Sequence, residues 1–163
     1  SGGSGGSGGG GQMLKPLALE WLAHPTGVAA SADGTHVYVC EQMTNRILRL
    51  VRRPGGVYHA SVFYHLGAGQ GGSGLGPSAI CLDPSPGGNL YVACFDFNCP
   101  ADGYGSQGKG GQQGLVLVLS PSGQEEGRLS VPGTEITGIT LSPDKRSVFV
   151  TEASTSTIYV AEL

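Results

Sequence analysis

An internal repeat constrains this sequence more than any other feature, because its first and last copies align without a gap. In each copy a glycine is followed by a second apolar run, an acidic residue and a third apolar run at offsets of 10, 14 and 20. The residues concerned are Gly27, Val37, Glu41 and Ile47 in the first copy, and Gly138, Val148, Glu152 and Ile158 in the last. A middle copy begins at Pro77 and carries a long insertion, Phe95–Gly114. A repeat of this length indicates a repeated structural unit.

Each copy contains three short β-rich runs, and the segments Ala60–Leu66 and Gly127–Val131 supply a fourth. Four strands per repeat at this spacing are typical of a β-propeller blade. The sequence therefore predicts an all-β fold of about three four-stranded β-propeller blades. The predicted blades cover residues 25–66, 77–131 and 136–163 of a half-propeller domain, 12–163, in which residues 14–23 form an outer strand that completes a blade.

The amino-acid composition argues against some classes of binding partner. The chain has 163 residues, a net charge of −3 and nine Lys and Arg together, so it lacks the basic surface that nucleic-acid binding requires. No apolar run reaches 18 residues and no signal peptide opens the chain, which predicts a soluble protein with no membrane contact but indicates no compartment. Residues 1–11 form a Gly/Ser repeat and are predicted to be a flexible linker.

The repeat also resembles a known family. Three stretches are similar to the C-terminal half of senescence marker protein/gluconolactonase-like propellers: HPTGVAASADGTHVYVCEQMTNRILRL, GPSAICLDPSPGGNLYVA and GLVLVLSPSGQEEGRLSVPGTEITGITLSPDKRSVFVTEASTSTIYV. This group is close to strictosidine synthase-like and NHL-repeat proteins. The resemblance implies a six-bladed propeller, often a lactonase or related hydrolase, with one divalent cation, usually calcium, at the mouth of the central channel.

Two positions bear on the implied cation. The family's ligands include an Asn and an Asp that open first strands, and these positions hold Thr26 and Ser78 here. Ca²⁺ prefers several charged or carbonyl oxygens, so neutral hydroxyls are poor replacements. The family's glutamate ligand from its N-terminal half lies outside this sequence. The sequence therefore predicts a degenerate metal site, although calcium or another divalent cation stays open.

In a propeller the loop between strands two and three lies on the same face as the start of strand one. We therefore expect one group of polar residues at the channel mouth: Thr26, Ser78, Thr137, Glu41, Glu152 and Asp96. The insertion Phe95–Gly114 reaches the same face, as a lid over the channel or as a disordered Gly/Gln-rich excursion. The sequence names no catalytic residue.

Other motifs favour structural interpretations. Gly67–Gly72 matches G-x-G-x-x-G, but a strand rather than a helix follows it, so we interpret it as a loop. The cysteines lack zinc-site spacing, and those within strand patterns are expected to be buried thiols, with a Cys94–Cys99 disulfide as the alternative. The four histidines show no catalytic spacing.

Three functions stay open from the sequence. The first is a sugar-lactonase-like propeller segment that binds a small ligand or a partner at the channel mouth without metal chemistry. The second is an active calcium-dependent lactonase or esterase whose ligands come from the missing half. The third is an NHL-like protein-binding scaffold.

Three blades leave unpaired faces and edges, so we expect a second copy or the missing blades to close the ring. The first strands are apolar, which predicts that Val28 and Ile139 face neighbouring blades.

Overall fold

The computed structural model describes residues 13–17, 21–67, 75–96 and 113–163. The Gly/Ser segment 1–11, most of the Gly67–Gly72 motif and residues 97–112 of the insertion lie outside these ranges, as does Cys99. Within the described part the chain forms eleven strands and two short 3-10 turns, Gln42–Thr44 and Pro54–Gly56. The strands are β1 (Pro25–Ala30), β2 (His36–Glu41), β3 (Arg46–Arg52), β4 (Tyr58–His65), β5 (Leu75–Leu82), β6 (Leu90–Asp96), β7 (Gln113–Leu119), β8 (Glu125–Pro132), β9 (Ile136–Leu141), β10 (Ser147–Glu152) and β11 (Thr157–Glu162).

The strands form three antiparallel sheets in chain order, which confirms the all-β propeller prediction. Blade 1 is β1–β4, blade 2 is β5–β8, and blade 3 is the three-stranded sheet β9–β11. The predicted fourth runs are β4 and β8. The insertion leaves the sheet between β6 and β7, the second and third strands of blade 2.

Short polar turns join the first and second strand of each blade. In blade 1 the Ser31 hydroxyl donates to Asp33 and accepts the His36 amide at 2.9 Å. In blade 3 Ser142 makes the same two contacts, with Asp144 and Ser147. Side chains that hydrogen-bond the backbone two residues on are what such turns require, so the Ser-x-Asp signal in the sequence has a direct structural counterpart.

Two of the three buried clusters in the described part of the chain lie between blades, and the third covers the outer side of blade 1. One buried cluster joins the face of blade 1 that looks toward blade 2 to the facing side of blade 2, and includes Tyr38, Ile47, Ile80 and Leu117. A second cluster joins the other side of blade 2 to blade 3, and includes Tyr91, Val116, Val148 and Val150. We call the face of a blade that looks toward the next blade in sequence its forward face, and the opposite one its back face.

Near the start of each first strand a β-bulge interrupts pairing with the second strand. The bulges lie between Pro25 and Val28, between Pro77 and Ala79, and opposite the Thr151/Glu152 step in blade 3. Gly27 lies in the first bulge, where a Cβ atom would come within 2.8 Å of the Ala79 Cα. A glycine there permits the close approach of β1 to β5.

The two predictions for the first strands have different outcomes. Ile139 packs against the cluster between blades 2 and 3, as expected. Val28 is 67% exposed, because it lies on the back face of blade 1, where this chain has no neighbouring blade. The described residues of the predicted outer strand 14–23 are not in a strand, although Leu22 packs on that same back face.

Candidate functional site

The three predicted hydroxyl residues occupy equivalent positions, because each lies in the bulge of its first strand. Thr26 Oγ1 in blade 1 donates to the carbonyl of Pro77 in blade 2, at 3.1 Å. Ser78 Oγ in blade 2 donates to the carbonyl of Ile136 in blade 3, at 2.6 Å. In both cases the acceptor is the residue just before the next bulge hydroxyl. A bulge re-aims a side chain, and here it turns each hydroxyl onto the following blade.

Thr137, the third member of this series, makes different contacts. Its Oγ1 lies 3.1 Å from Thr151 Oγ1 and 3.4 Å from the Thr151 carbonyl, both within blade 3. Among the described strands, none packs against the forward face of blade 3 to offer it a carbonyl. The hydroxyl that would join the next blade is therefore bonded inside its own.

The structure places Glu41 at the predicted end of blade 1 but inside the protein, with none of its surface exposed. Its carboxylate accepts the Ala23 amide at 2.8 Å, the Thr44 hydroxyl at 3.2 Å and the Arg46 Nε. Burial alone would raise the pKa of Glu41, but these hydrogen bonds and the Arg46 charge outweigh it and hold the pKa below its ordinary value. The carboxylate ties the segment before β1 to the turn after β2.

Glu152 repeats this arrangement in blade 3, where it is 2% exposed. It accepts the Glu135 amide at 3.0 Å and the Thr155 amide at 2.7 Å, together with the hydroxyls of Ser154 and Thr155. Burial acts to raise the pKa of Glu152, yet these donors together keep it below the ordinary value. Neither buried carboxylate offers an uncommitted oxygen to the channel mouth.

Blade 2 has Cys94 at the corresponding place, paired with Pro77 as Glu41 is paired with Pro25. The described cysteines are free, and burial raises the pKa of Cys40 and of Cys81 to about 12 and raises that of Cys94 further. All three thiols are protonated; Cys40 and Cys94 are buried, as expected, whereas Cys81 is half-buried. The alternative Cys94–Cys99 disulfide involves a residue outside the described ranges.

Asp96, the last predicted mouth residue, ends β6 where the insertion begins. Its amide donates to the Thr134 carbonyl at 3.0 Å, and this hydrogen bond joins blade 2 to the segment just before β9. The structure thus brings Asp96 to the same end of the blades as Thr26, Ser78 and Thr137.

The residues present do not fit a divalent cation in this half of the mouth. Among the described residues no three His, Cys, Asp or Glu side chains are grouped so as to hold a metal ion. Thr26 and Ser78 are uncharged and donate to carbonyls of the next blade, and the nearby carboxylates Glu41 and Glu152 face backbone amides. A hard cation needs several oxygens that carry negative charge or aim their lone pairs inward.

A groove of about 430 Å³ lies at the opposite end of the seam between blades 1 and 2. It is bordered by the first turns of both blades and by Tyr38 and Arg49. The Arg49 guanidinium lies over the Phe63 ring, 5.5 Å from its centroid, and its Nε is buried without a hydrogen-bond partner. Sequence reasoning missed this groove, although an arginine where blades 2 and 3 have Val118 and Val160 was a visible signal.

The sequence matches known proteins over much of its length. Residues 15–154 match the family described as SMP-30/Gluconolactonase/LRE-like region. The lactonase drp35 of Staphylococcus haemolyticus is 29% identical over 113 residues, which are 67% of this chain and 28% of the relative. That of Staphylococcus saprophyticus is 30% identical over 118 residues, 70% of this chain and 29% of the relative. The chain therefore spans less than a third of the length of these curated relatives.

Solved structures agree on the fold. XC5397 from Xanthomonas campestris, described as a gluconolactonase, aligns with 87% of this chain and 38% of its own at a TM-score of 0.61 and 22% identity. Regucalcin from Agrobacterium tumefaciens, described as a calcium-binding protein, aligns with 79% of this chain and 38% of its own at a TM-score of 0.56 and 25% identity. In the described ranges no helix is long and apolar enough to cross a membrane. With matched residues that run from blade 1 through most of blade 3, this chain belongs to the SMP-30/gluconolactonase/LRE-like family and is a lactonase-like propeller segment.

Proposed function

We propose that this chain forms one side of a channel mouth that binds a small polar ligand, and that this side holds no divalent cation. The proposal is based on the hydrogen bonds that the two bulge hydroxyls make. Thr26 and Ser78 stand where the resembled family has metal ligands, and both donate to backbone carbonyls of the next blade. A hydroxyl held in this way keeps its lone pairs, which accept a ligand's O–H groups without a metal.

The ligand class follows from the lining of the mouth. Thr26 and Thr137 are exposed hydroxyl residues, and Asp96 adds a carboxylate at the same end. Such groups recognise a neutral molecule rich in hydroxyls, such as a sugar or a sugar lactone. The relatives named lactonases are consistent with this class of ligand.

A calorimetric titration with Ca²⁺ tests the metal part of the proposal. We expect no binding in the micromolar range for the unaltered chain. The double variant Thr26→Asn, Ser78→Asp restores the residue types of the resembled family and should bind Ca²⁺ more tightly, because it adds a charged oxygen. Micromolar binding by the unaltered chain that both Thr26→Ala and Ser78→Ala abolish would contradict the proposal.

Thermal unfolding with glucose, a neutral polyol, in the presence of EDTA tests the ligand part. A ligand that binds the folded state raises Tm as its concentration exceeds Kd, so glucose should raise Tm without metal. Thr137→Val should reduce this shift, whereas the exposed control Thr140→Val should leave it unchanged. A Tm shift that appears with Ca²⁺ and vanishes with EDTA would instead support the second candidate, a calcium-dependent lactonase, which the similarity to regucalcin favours.

A further inference from the structure

The groove between the first turns of blades 1 and 2 is lined mainly by apolar groups. These groups come from both blades and are Tyr38, Leu82, Pro84, Pro86 and Pro121. The His36 ring stacks on Tyr38, with the two centroids 6.3 Å apart and the planes 16° from parallel. The groove has a volume of about 430 Å³, which is in the range of small-molecule sites. Its shape and lining therefore suit a compact molecule with a flat apolar body.

Arg49 lines this groove and has no anionic partner among the described residues, whereas Arg46, Arg128 and Lys145 each pair with a carboxylate. Its side chain is half-buried, and its Nε is buried without a hydrogen-bond partner. The guanidinium lies beside the Phe63 ring, whose centroid is 5.5 Å from Arg49 Cζ, and beside an uncharged phenol. A cation taken partly out of water costs free energy unless an anion or several acceptors compensate it.

The repeat shows that a seam between blades does not need this charge. Arg49 pairs with Tyr38 across β2 and β3, and at the same place in blade 2 Val118 pairs with Tyr91. Val118 packs against the apolar cluster between blades 2 and 3. A valine therefore completes the second seam, whereas the first seam has a cation that borders a groove.

The two carboxylates that line the groove are engaged in other contacts. Asp33 accepts the amide and the hydroxyl of Thr35, at 3.0 and 2.8 Å, and it is exposed, so that water and salt screen its charge. Asp83 accepts the Ser85 amide at 2.8 Å and lies 3.3 Å from Lys145 Nζ. The charge that stays uncompensated within the groove is therefore the positive charge of Arg49.

We propose that this groove binds a small aromatic carboxylate, with the carboxylate group on Arg49 and the aromatic ring against Tyr38 and the prolines. A guanidinium presents its N–H groups in a planar fork that matches a carboxylate, and such charge-assisted hydrogen bonds are strong. Burial raises the pKa of Tyr38, so its hydroxyl keeps its proton and can donate to the same anion. One cation among apolar walls suits a singly charged anion with an apolar body better than a phosphate, which carries more charge. The groove lies at the opposite end of the seam from Thr26, so this site is independent of the ligand proposed for the channel mouth.

Isothermal titration calorimetry with 2-naphthoate tests this proposal. We expect saturable binding with a Kd below about 1 mM, and binding of 2-naphthamide, which has the same rings without the charge, at least about tenfold weaker. Arg49→Met should weaken the binding of 2-naphthoate by about tenfold or more, because hydrogen bonds to a charged group are lost. Arg52→Met is the matched control, since Arg52 ends the same strand, is exposed and does not line the groove. It should leave the Kd unchanged.

Three results would overturn the proposal. The first is no saturable binding of 2-naphthoate by the folded, unaltered chain up to about 10 mM. The second is equal binding of 2-naphthoate and 2-naphthamide, a comparison that needs no variant and so tests the charge even where Arg49→Met loses stability. The third is a folded Arg49→Met, as judged by circular dichroism, that binds 2-naphthoate as tightly as the unaltered chain does.

Discussion

Blades 1 and 3 follow the same repeat, yet their forward faces have different surroundings. Ile47 and Ile158 share residue type, strand and register position, and they are 0% and 70% exposed. Thr26 bonds to the neighbouring blade and Thr137 to its own. This difference shows that each blade completes its core with side chains of the neighbouring blade. The same residue therefore contributes differently to stability at each position in the ring.

The largest expected effect compares the two isoleucines. Ile47→Ala should lower the free energy of unfolding by about 2–5 kcal/mol, because it opens a cavity in the seam between blades 1 and 2. Ile158→Ala should cost below about 0.5 kcal/mol in the single chain, as exposed substitutions do. Urea denaturation of both variants at low protein concentration measures the difference. Equal costs at low concentration would show that Ile158 is already covered in the single chain.

The buried carboxylate of Glu152 comes next. Glu152→Gln places an amide NH₂ against backbone N–H donors, and leaving a buried donor unsatisfied costs about 1–3 kcal/mol. Glu162→Gln, on exposed β11, is the control and should leave the stability unchanged. If Glu152→Gln costs no more stability than the control, this carboxylate does not join the chain before β9 to the turn after β10.

The same carboxylates predict how stability depends on pH. The folded-state pKa values of Glu41 and Glu152 lie below their ordinary value of 4.5, so their contribution is complete above that pH. It is lost as the pH falls through the folded pKa values. The free energy of unfolding should therefore drop below pH 4.5, and less steeply in Glu152→Gln. Parallel pH profiles for the two proteins would contradict this prediction.

The smallest effect compares the bulge hydroxyls. Ser78→Ala removes a donor to the carbonyls of Ile136 and Ala93 and should cost about 0.5–1.5 kcal/mol. Thr137→Val should change the single chain by less than about 0.5 kcal/mol, because its partner is an exposed threonine. Thermal unfolding of the two variants under identical conditions measures the contrast. A larger loss for Thr137→Val would mean that Thr137 already joins another blade.

The sequence predicted the fold, but it did not predict the contacts that the site residues make. Offsets counted from Gly27 and Gly138 predicted the strands because apolar runs and Ser-x-Asp turns are local signals. Glu41 and Glu152 were expected at the channel mouth, because the loop between strands two and three of a blade lies on the same face as the start of strand one. Their burial depends on side-chain or backbone donors from the turn after β2 or β10 and on an amide from the chain before β1 or β9, and such contacts exist once the sheet has formed.

The three hydroxyl residues are a second case in which the sequence predicted the position but not the local geometry. Thr26, Ser78 and Thr137 were expected on one face, and the structure adds that all three lie in bulges. Spacing in the sequence does not reveal a bulge, because a residue is extra only in relation to the strand with which it pairs. Val28 was expected to face a neighbouring blade, but it is 67% exposed, because the described strands place no blade against the back face of blade 1.

The central claim is that the bulge hydroxyls join blades where the resembled family holds a metal. A crystal structure of the chain grown with Ca²⁺ tests it most directly. The account predicts that Thr26 Oγ1 and Ser78 Oγ stay within hydrogen-bond distance of the Pro77 and Ile136 carbonyls, with no ion bound to either hydroxyl. An ion coordinated by both hydroxyl oxygens at calcium–oxygen distances, about 2.3–2.6 Å, would contradict it.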